Sequence, residues 1–120
     1  MKQTMENKIG NWNAIAWLLQ RLTAVGLLLF LGIHFWLLHY RHPGEVITYD
    51  SVLMRLRFQP LLLADLGLLI FGLFHALNGL QAIIQDYGFG AGGKRGLGWI
   101  LLLLGLVMGL LGGFALWQTF

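Results

Sequence analysis

The chain has no cysteine among its 120 residues. That excludes a disulfide framework, a thiolate nucleophile, and any iron–sulfur or Cys-based zinc site held by its own side chains. Charge is scarce too: Asp, Glu, Lys and Arg make up 11%, against about 25% in a typical globular domain. The cations are scattered between apolar runs instead of gathered in a stripe, so no nucleic-acid surface is expected. Glycine-rich phosphate loops, catalytic triads and zinc-type histidine spacings are also missing. Any redox cofactor would have to be held by its four histidines or by a partner chain.

What is abundant is apolar surface. Hydrophobic residues reach 58%, and a domain this small buries too small a share of its surface to hide them from water. Lipid is therefore the expected solvent. Three runs are long enough for the roughly 20 residues of helix that cross a bilayer: approximately 17–40, 60–85 and 97–117. The expected fold is an all-α membrane protein, one domain over 1–120, whose three transmembrane helices pack with a partner into a helical bundle. Pro60 opens the second run, where proline suits the first turn of a helix. The polar start, MKQTMENKIGNWNAIAW, lacks a small-residue cleavage site, and the apolar run behind it is too long for a signal peptide. The first run is thus expected to be a retained span.

Three spans put the N-terminus and the second connection on one side, with Lys2, Lys8, Arg21, Lys94 and Arg95. Arg41, Arg55 and Arg57 lie on the other. The excess favours a cytoplasmic N-terminus; in a bacterial inner membrane the C-terminus would face the periplasm. The first connection, His42–Gln59, contains DSVLMRLRF, which is suited to a short amphipathic helix capped by Asp50 or Ser51. The second, GFGAGGKRG, reads as a flexible turn whose glycines permit positive φ. Gly105, Gly109, Gly112 and Gly113 in the third run suit close helix packing.

Ionisable groups inside a membrane are costly and need a partner or a task. His75, near the middle of the second run, is the foremost case. It can be a hydrogen-bonding residue between helices, a proton relay or an axial ligand to haem iron. Gly79 lies one turn on along nearly the same face, where a missing side chain leaves room for a flat macrocycle, and Gly72 lies on the other flank. Asp86, eleven residues after His75, returns to within roughly 20° of that face and lies about 16 Å further along the axis. Tyr87 follows at the water–lipid boundary. Asp86 can cap the helix or pair with Lys94 or Arg95, and Tyr87 can belong to an interfacial belt. Alternatively, phenol and carboxylate serve a quinone headgroup, whose reduction consumes two protons. Arg21, one turn into the first run, either snorkels to headgroups or neutralises a haem propionate, with Thr23 as a nearby hydroxyl. His34 is a packing or interfacial residue, or else the ligand of a second haem. His39 and His42 are expected to be solvated, and Asp65 to reach water or an arginine.

LLQRLTAVGLLLF in the first run and HALNGLQAIIQDY in the second together resemble the small membrane anchor of succinate dehydrogenase, respiratory complex II. The shared pattern is Arg-x-Thr-Ala, here Arg21, Thr23 and Ala24, then His75, Gly79, Asp86 and Tyr87 in the family's spacing. The resemblance covers most of the chain, and GEVITYDSV resembles the family's first loop more loosely. It implies that His75 is one axial ligand of a haem b shared with a second membrane-anchor subunit. It also implies that Tyr87 hydrogen-bonds ubiquinone or menaquinone with Asp86 in support, and that Arg21 lies near the haem propionates. The implied partners are that second anchor, an iron–sulfur subunit and a flavoprotein, with a higher oligomer of the complex open. The implied chain anchors these subunits and has no complete active site of its own. A fumarate reductase anchor and a haem-free membrane scaffold are the rival readings.

Overall fold

The computed structural model describes residues 2–41, 43–88 and 90–118, with side chains described from Asn13 onward. Four helices follow one another: α1 (Lys2–His39), α2 (Tyr49–Leu56), α3 (Gln59–Asp86) and α4 (Ala91–Trp117). No strand occurs among the described residues. Three segments are long and apolar enough to cross a membrane, Asn13–His39, Gln59–Asp86 and Ala91–Trp117. At about 1.5 Å per residue each reaches roughly 40 Å, more than the ~30 Å hydrocarbon layer. The expected all-α, three-span membrane fold is therefore what the chain adopts. Its elongated form, 59 × 25 × 24 Å, matches helices laid side by side.

The boundaries differ from expectation at two places. The polar N-terminal stretch does not precede the first helix but belongs to it, since α1 begins at Lys2. GFGAGGKRG is not a glycine-opened turn: Ala91, Gly92, Gly93, Lys94, Arg95 and Gly96 already form the first turns of α4. Helix propagation adds one hydrogen bond per residue fixed, so an apolar helix can extend into a polar, glycine-bearing segment. Among the described residues only Gly44 has positive φ, at 79°. It sits just after Pro43 in the first connection, where the chain turns after α1.

α3 is the central helix, with α1 packed along one side and α4 along another. Both contacts are built from glycine notches. On the α4 side, a Cβ added at Gly105, Gly109 or Gly112 would meet Leu77, Leu73 and Leu69 respectively. These leucines recur every four residues on one face of α3, and each rests on a missing side chain of α4. The glycine spacing in the third run is thus a packing feature, as expected. On the α1 side the notches are reciprocal: Phe71 of α3 lies over Gly26 of α1, and Phe30 of α1 lies over Gly67 of α3. The two rings meet edge to face, with centroids 5.3 Å apart and planes at 76°.

Little else is covered. Among the described side chains Leu61, Ala64 and Leu101 are the buried hydrophobic residues, whereas leucines along all three spans face outward. Such a surface is stable against lipid or against further apolar helices, not against water.

α2 confirms the expected amphipathic helix but not its cap. The N-cap is Thr48, whose side chain accepts from Ser51 N–H at 3.2 Å while Ser51 Oγ accepts from Thr48 N–H at 2.9 Å. This reciprocal box satisfies two backbone donors at once, which a cap at Asp50 or Ser51 would not. Arg55 turns back to Glu45, donating from Nη2 at 2.7 Å. Pro60 lies in the first turn of α3, as expected.

Candidate functional site

The antiparallel crossing of α1 and α3 gathers polar side chains at mid-span. His75 is partly buried there, and its Nδ1 lies 3.2 Å from Thr23 Oγ1. Thr23 is the buried polar residue among the described side chains, 7% exposed. One turn along, Gln20 donates from Nε2 to the His75 carbonyl at 3.1 Å. Asn78 donates to Gln20 Oε1 at 2.7 Å and to the Ala16 carbonyl at 3.3 Å. In hydrocarbon a lone amide or imidazole is unfavourable by several kcal/mol, so each group here closes on the next. The result is a polar belt joining α1 to the backbone and ring of His75.

Gln20 and Asn78 were not among the residues that the sequence singled out. Their signal was present: Gln20 lies one turn from Thr23, and Asn78 one turn from His75, both as amides inside apolar runs. The cleft beside them, about 430 Å³, is also lined by Asn13, Trp17, Gln81 and Gln85. It runs toward the end of α3 that carries Asp86 and Tyr87.

The glycines flanking His75 have a different use from the one expected. A Cβ at Gly79 would sit 3.0 Å from Gln20 Nε2, and one at Gly72 would be 3.8 Å from Leu27 Cδ2. Both therefore face α1. Gly79 makes room for the glutamine amide, not for a macrocycle, because that volume is already filled by the neighbouring helix.

Arg21 lies deeper than one turn from the aqueous edge. The pairing of Gln20 and Thr23 with His75 puts it nearly level with that imidazole. Its guanidinium leans back one turn and covers the Trp17 ring at 4.1 Å from the centroid. A cation over an indole face is attracted by the ring quadrupole, and the lean carries the charge toward the polar end of α1. The side chain is exposed on the outside of the helix pair.

Asp86 is the last residue of α3, and Tyr87 is its C-cap with extended backbone, φ −77° and ψ 147°. Both are exposed. The Tyr87 N–H still donates to the Ile83 carbonyl at 3.3 Å, so the phenol projects from the point where the helix stops. Lys94 donates to the Gln85 carbonyl at 2.7 Å; it caps the negative end of α3 instead of meeting Asp86. His75 and Asp86 thus share a helix at different depths, and no direct contact joins them.

At the other end of the α1–α3 pair, His34 Nδ1 and Asp65 Oδ1 are 2.5 Å apart, with 31% and 15% of the side chains exposed. This corrects the expectation that Asp65 reaches water or an arginine. A carboxylate inside a span needs a donor, and the antiparallel register supplies an imidazole. His39 is exposed, donates to the Phe35 carbonyl at 3.2 Å and stacks on that ring; His42 lies outside the described residues.

The fit of a haem to His75 rests on its donor atoms. Only one ring nitrogen is engaged: Nε2 has no hydrogen-bond partner among the described residues, and it is not a sealed, unsatisfied atom. An axial ligand needs such an accessible nitrogen with its other nitrogen held. No group of three or more His, Asp or Glu suited to a metal ion occurs among the described residues, so a small-ion centre has no ligand set there. The donor set present, one histidine with Nδ1 engaged, fits a single ligand to a haem.

These features define an integral membrane protein with three spans, an imidazole held at mid-span across the α1–α3 contact with one nitrogen accessible, and large apolar faces open to partner helices. The comparisons with known proteins agree with that class. A family model described as succinate dehydrogenase/fumarate reductase transmembrane subunit matches residues 2–112, and the chain belongs to this family. It is 30% identical over 105 residues to a succinate dehydrogenase hydrophobic membrane anchor subunit from Thermoplasma acidophilum, covering 87% of this chain and 82% of the relative. A protein of the same description from Archaeoglobus fulgidus is 33% identical over 87 residues, 72% of this chain and 73% of the relative. No solved structure matches it significantly.

Proposed function

We propose that the chain is the small membrane anchor of a succinate:quinone oxidoreductase, in which His75 contributes one axial ligand to a haem b shared with a second anchor subunit. The observation that carries this reading is the state of the His75 ring, held at Nδ1 and accessible at Nε2 in mid-span. A haem bound there supplies reversible one-electron storage between the iron–sulfur subunit and the quinone. Arg21, exposed and nearly level with His75, offers the positive charge that offsets propionates in a low dielectric.

At the end of α3, Tyr87 and Asp86 serve the quinone. The phenol donates a hydrogen bond to a quinone carbonyl and thereby orients the ring. The carboxylate, carried by the preceding residue, passes protons to the reduced oxygens from the aqueous side. The exposed flank of α3 leaves this corner open to the iron–sulfur subunit and to the second anchor, with the flavoprotein beyond them. The orientation that follows has the N-terminus and the α3–α4 connection on the cytoplasmic side of the cell membrane, and the C-terminus outside.

Two variants test the reading. His75→Ala should remove the reduced b-type absorption band from the purified complex; a band that persists unchanged would sink the ligand assignment. Tyr87→Phe should lower quinone reduction roughly 100- to 1,000-fold, as losing one positioned donor does, while succinate oxidation by an artificial acceptor continues. Quinone reduction at the wild-type rate would remove Tyr87 from the quinone site, whereas equal loss of both activities would mean failed assembly.

A further inference from the structure

Thr23 has one hydroxyl proton and three candidate partners. Its Oγ1 lies 2.8 Å from the Leu19 carbonyl and 3.1 Å from the Gln20 carbonyl, both in its own helix, and 3.2 Å from His75 Nδ1. A threonine inside an α-helix commonly donates to the carbonyl four residues back, and Leu19 is that residue and the nearest acceptor. With its proton committed to a carbonyl, which can only accept, the hydroxyl can offer His75 nothing but a lone pair. Nδ1 must then carry the imidazole proton.

We propose that Thr23 is a positioning residue that fixes His75 as its Nδ1–H tautomer and leaves the Nε2 lone pair directed away from α1. This rests on the reading of His75 as an axial ligand. The burial of Thr23, at 7% exposure, keeps water from competing for the bond. Gln20 adds a second hold from the same helix, on the His75 carbonyl at 3.1 Å, so α1 fixes both the ring and the backbone that bears it. A proton shared toward an acceptor makes the opposite nitrogen a stronger donor to a metal, and it sets the plane of the ring. α1, which offers no iron ligand of its own at this depth, therefore sets the ligand quality of a residue on α3.

The test uses the intact complex and four variants. Thr23→Val keeps the shape and removes the acceptor, Thr23→Ser keeps the acceptor, and His75→Ala removes the ring. Thr23→Val should retain the b-type band, raise its midpoint potential, and release haem about 10- to 100-fold more readily, the usual effect of losing such an outer partner. Thr23→Ser should restore potential and retention to wild type. A valine variant with wild-type potential and retention overturns the proposal, and so does a serine variant that behaves like valine. Thr23→Ala decides by the same two readouts where the valine variant does not assemble. His75→Ala separates the two readings: if it loses haem while Thr23→Val remains wild type, only the positioning role falls. If it keeps haem unchanged, the ligand assignment falls and the Thr23 proposal with it.

Discussion

Gly26→Ala is the smallest change that tests how α1 and α3 hold together. The added Cβ would lie 2.3 Å from both Cδ2 and Cε2 of Phe71. Carbon atoms rest at about 3.5–4.0 Å, so the overlap exceeds roughly 1 Å on two ring atoms. Phe71 cannot simply rotate away. Phe30 stands edge-on against it at 5.3 Å, and Phe30 is itself seated over Gly67, where a Cβ would be 2.7 Å from the ring. The whole interlock must shift, which costs about 1–3 kcal/mol for overpacking of this kind. That corresponds to roughly a 5- to 150-fold loss in the folding equilibrium. The assay is denaturant-induced loss of helicity in the purified complex, read for both single variants and the pair Gly26→Ala with Phe71→Leu. Shortening Phe71 forfeits about 0.5–1.5 kcal/mol of ring contact but makes room for the methyl. The double variant should therefore be more stable than the sum of the singles by about 1–2 kcal/mol. Strict additivity, or a Gly26→Ala protein as stable as wild type, would refute the interlock.

Two further outcomes follow from other contacts. Asp65→Ala should destabilise the complex by about 2 kcal/mol, between an exposed pair and a fully buried one, because His34 loses its partner within the span; His34→Ala added to it should cost little more, which a double-mutant cycle by thermal unfolding measures. Thr48→Ala should fray α2 by about 0.5–2 kcal/mol through loss of the capping box, seen as faster amide exchange at Ser51 and Val52 with no change in the spans; unchanged exchange would exclude the box as the source of α2 order.

The spans and the membrane setting were legible in the sequence because apolar run length is a local quantity. Trp17, Leu97 and their neighbours announce lipid without reference to anything distant. The element ends were less legible. Nothing local prevents α1 from continuing back to Lys2 or α4 from starting at Ala91, and glycine there marked a turn that the longer helix overrode. The cap of α2 was missed by a few residues because Thr48, Asp50 and Ser51 are all able caps. Only the reciprocal bonds choose between them.

His75, Thr23, Arg21, Asp86 and Tyr87 stood out in the sequence as polar groups in or beside apolar runs. Their relations did not, since those depend on the α1–α3 register. The register brings Thr23 to His75, Asp65 to His34 and Phe71 to Gly26, pairs separated by 52, 31 and 45 positions. It also gives Gly79 to Gln20. The sequence by itself determined that this protein lives in lipid as three helices with an imidazole at mid-depth. Hydrophobic length and the unfavourable hydration balance of apolar residues require no tertiary partner. Which nitrogen of that imidazole is held and which is left accessible was decided only when the helices packed, because a tautomer is chosen by the group across the interface.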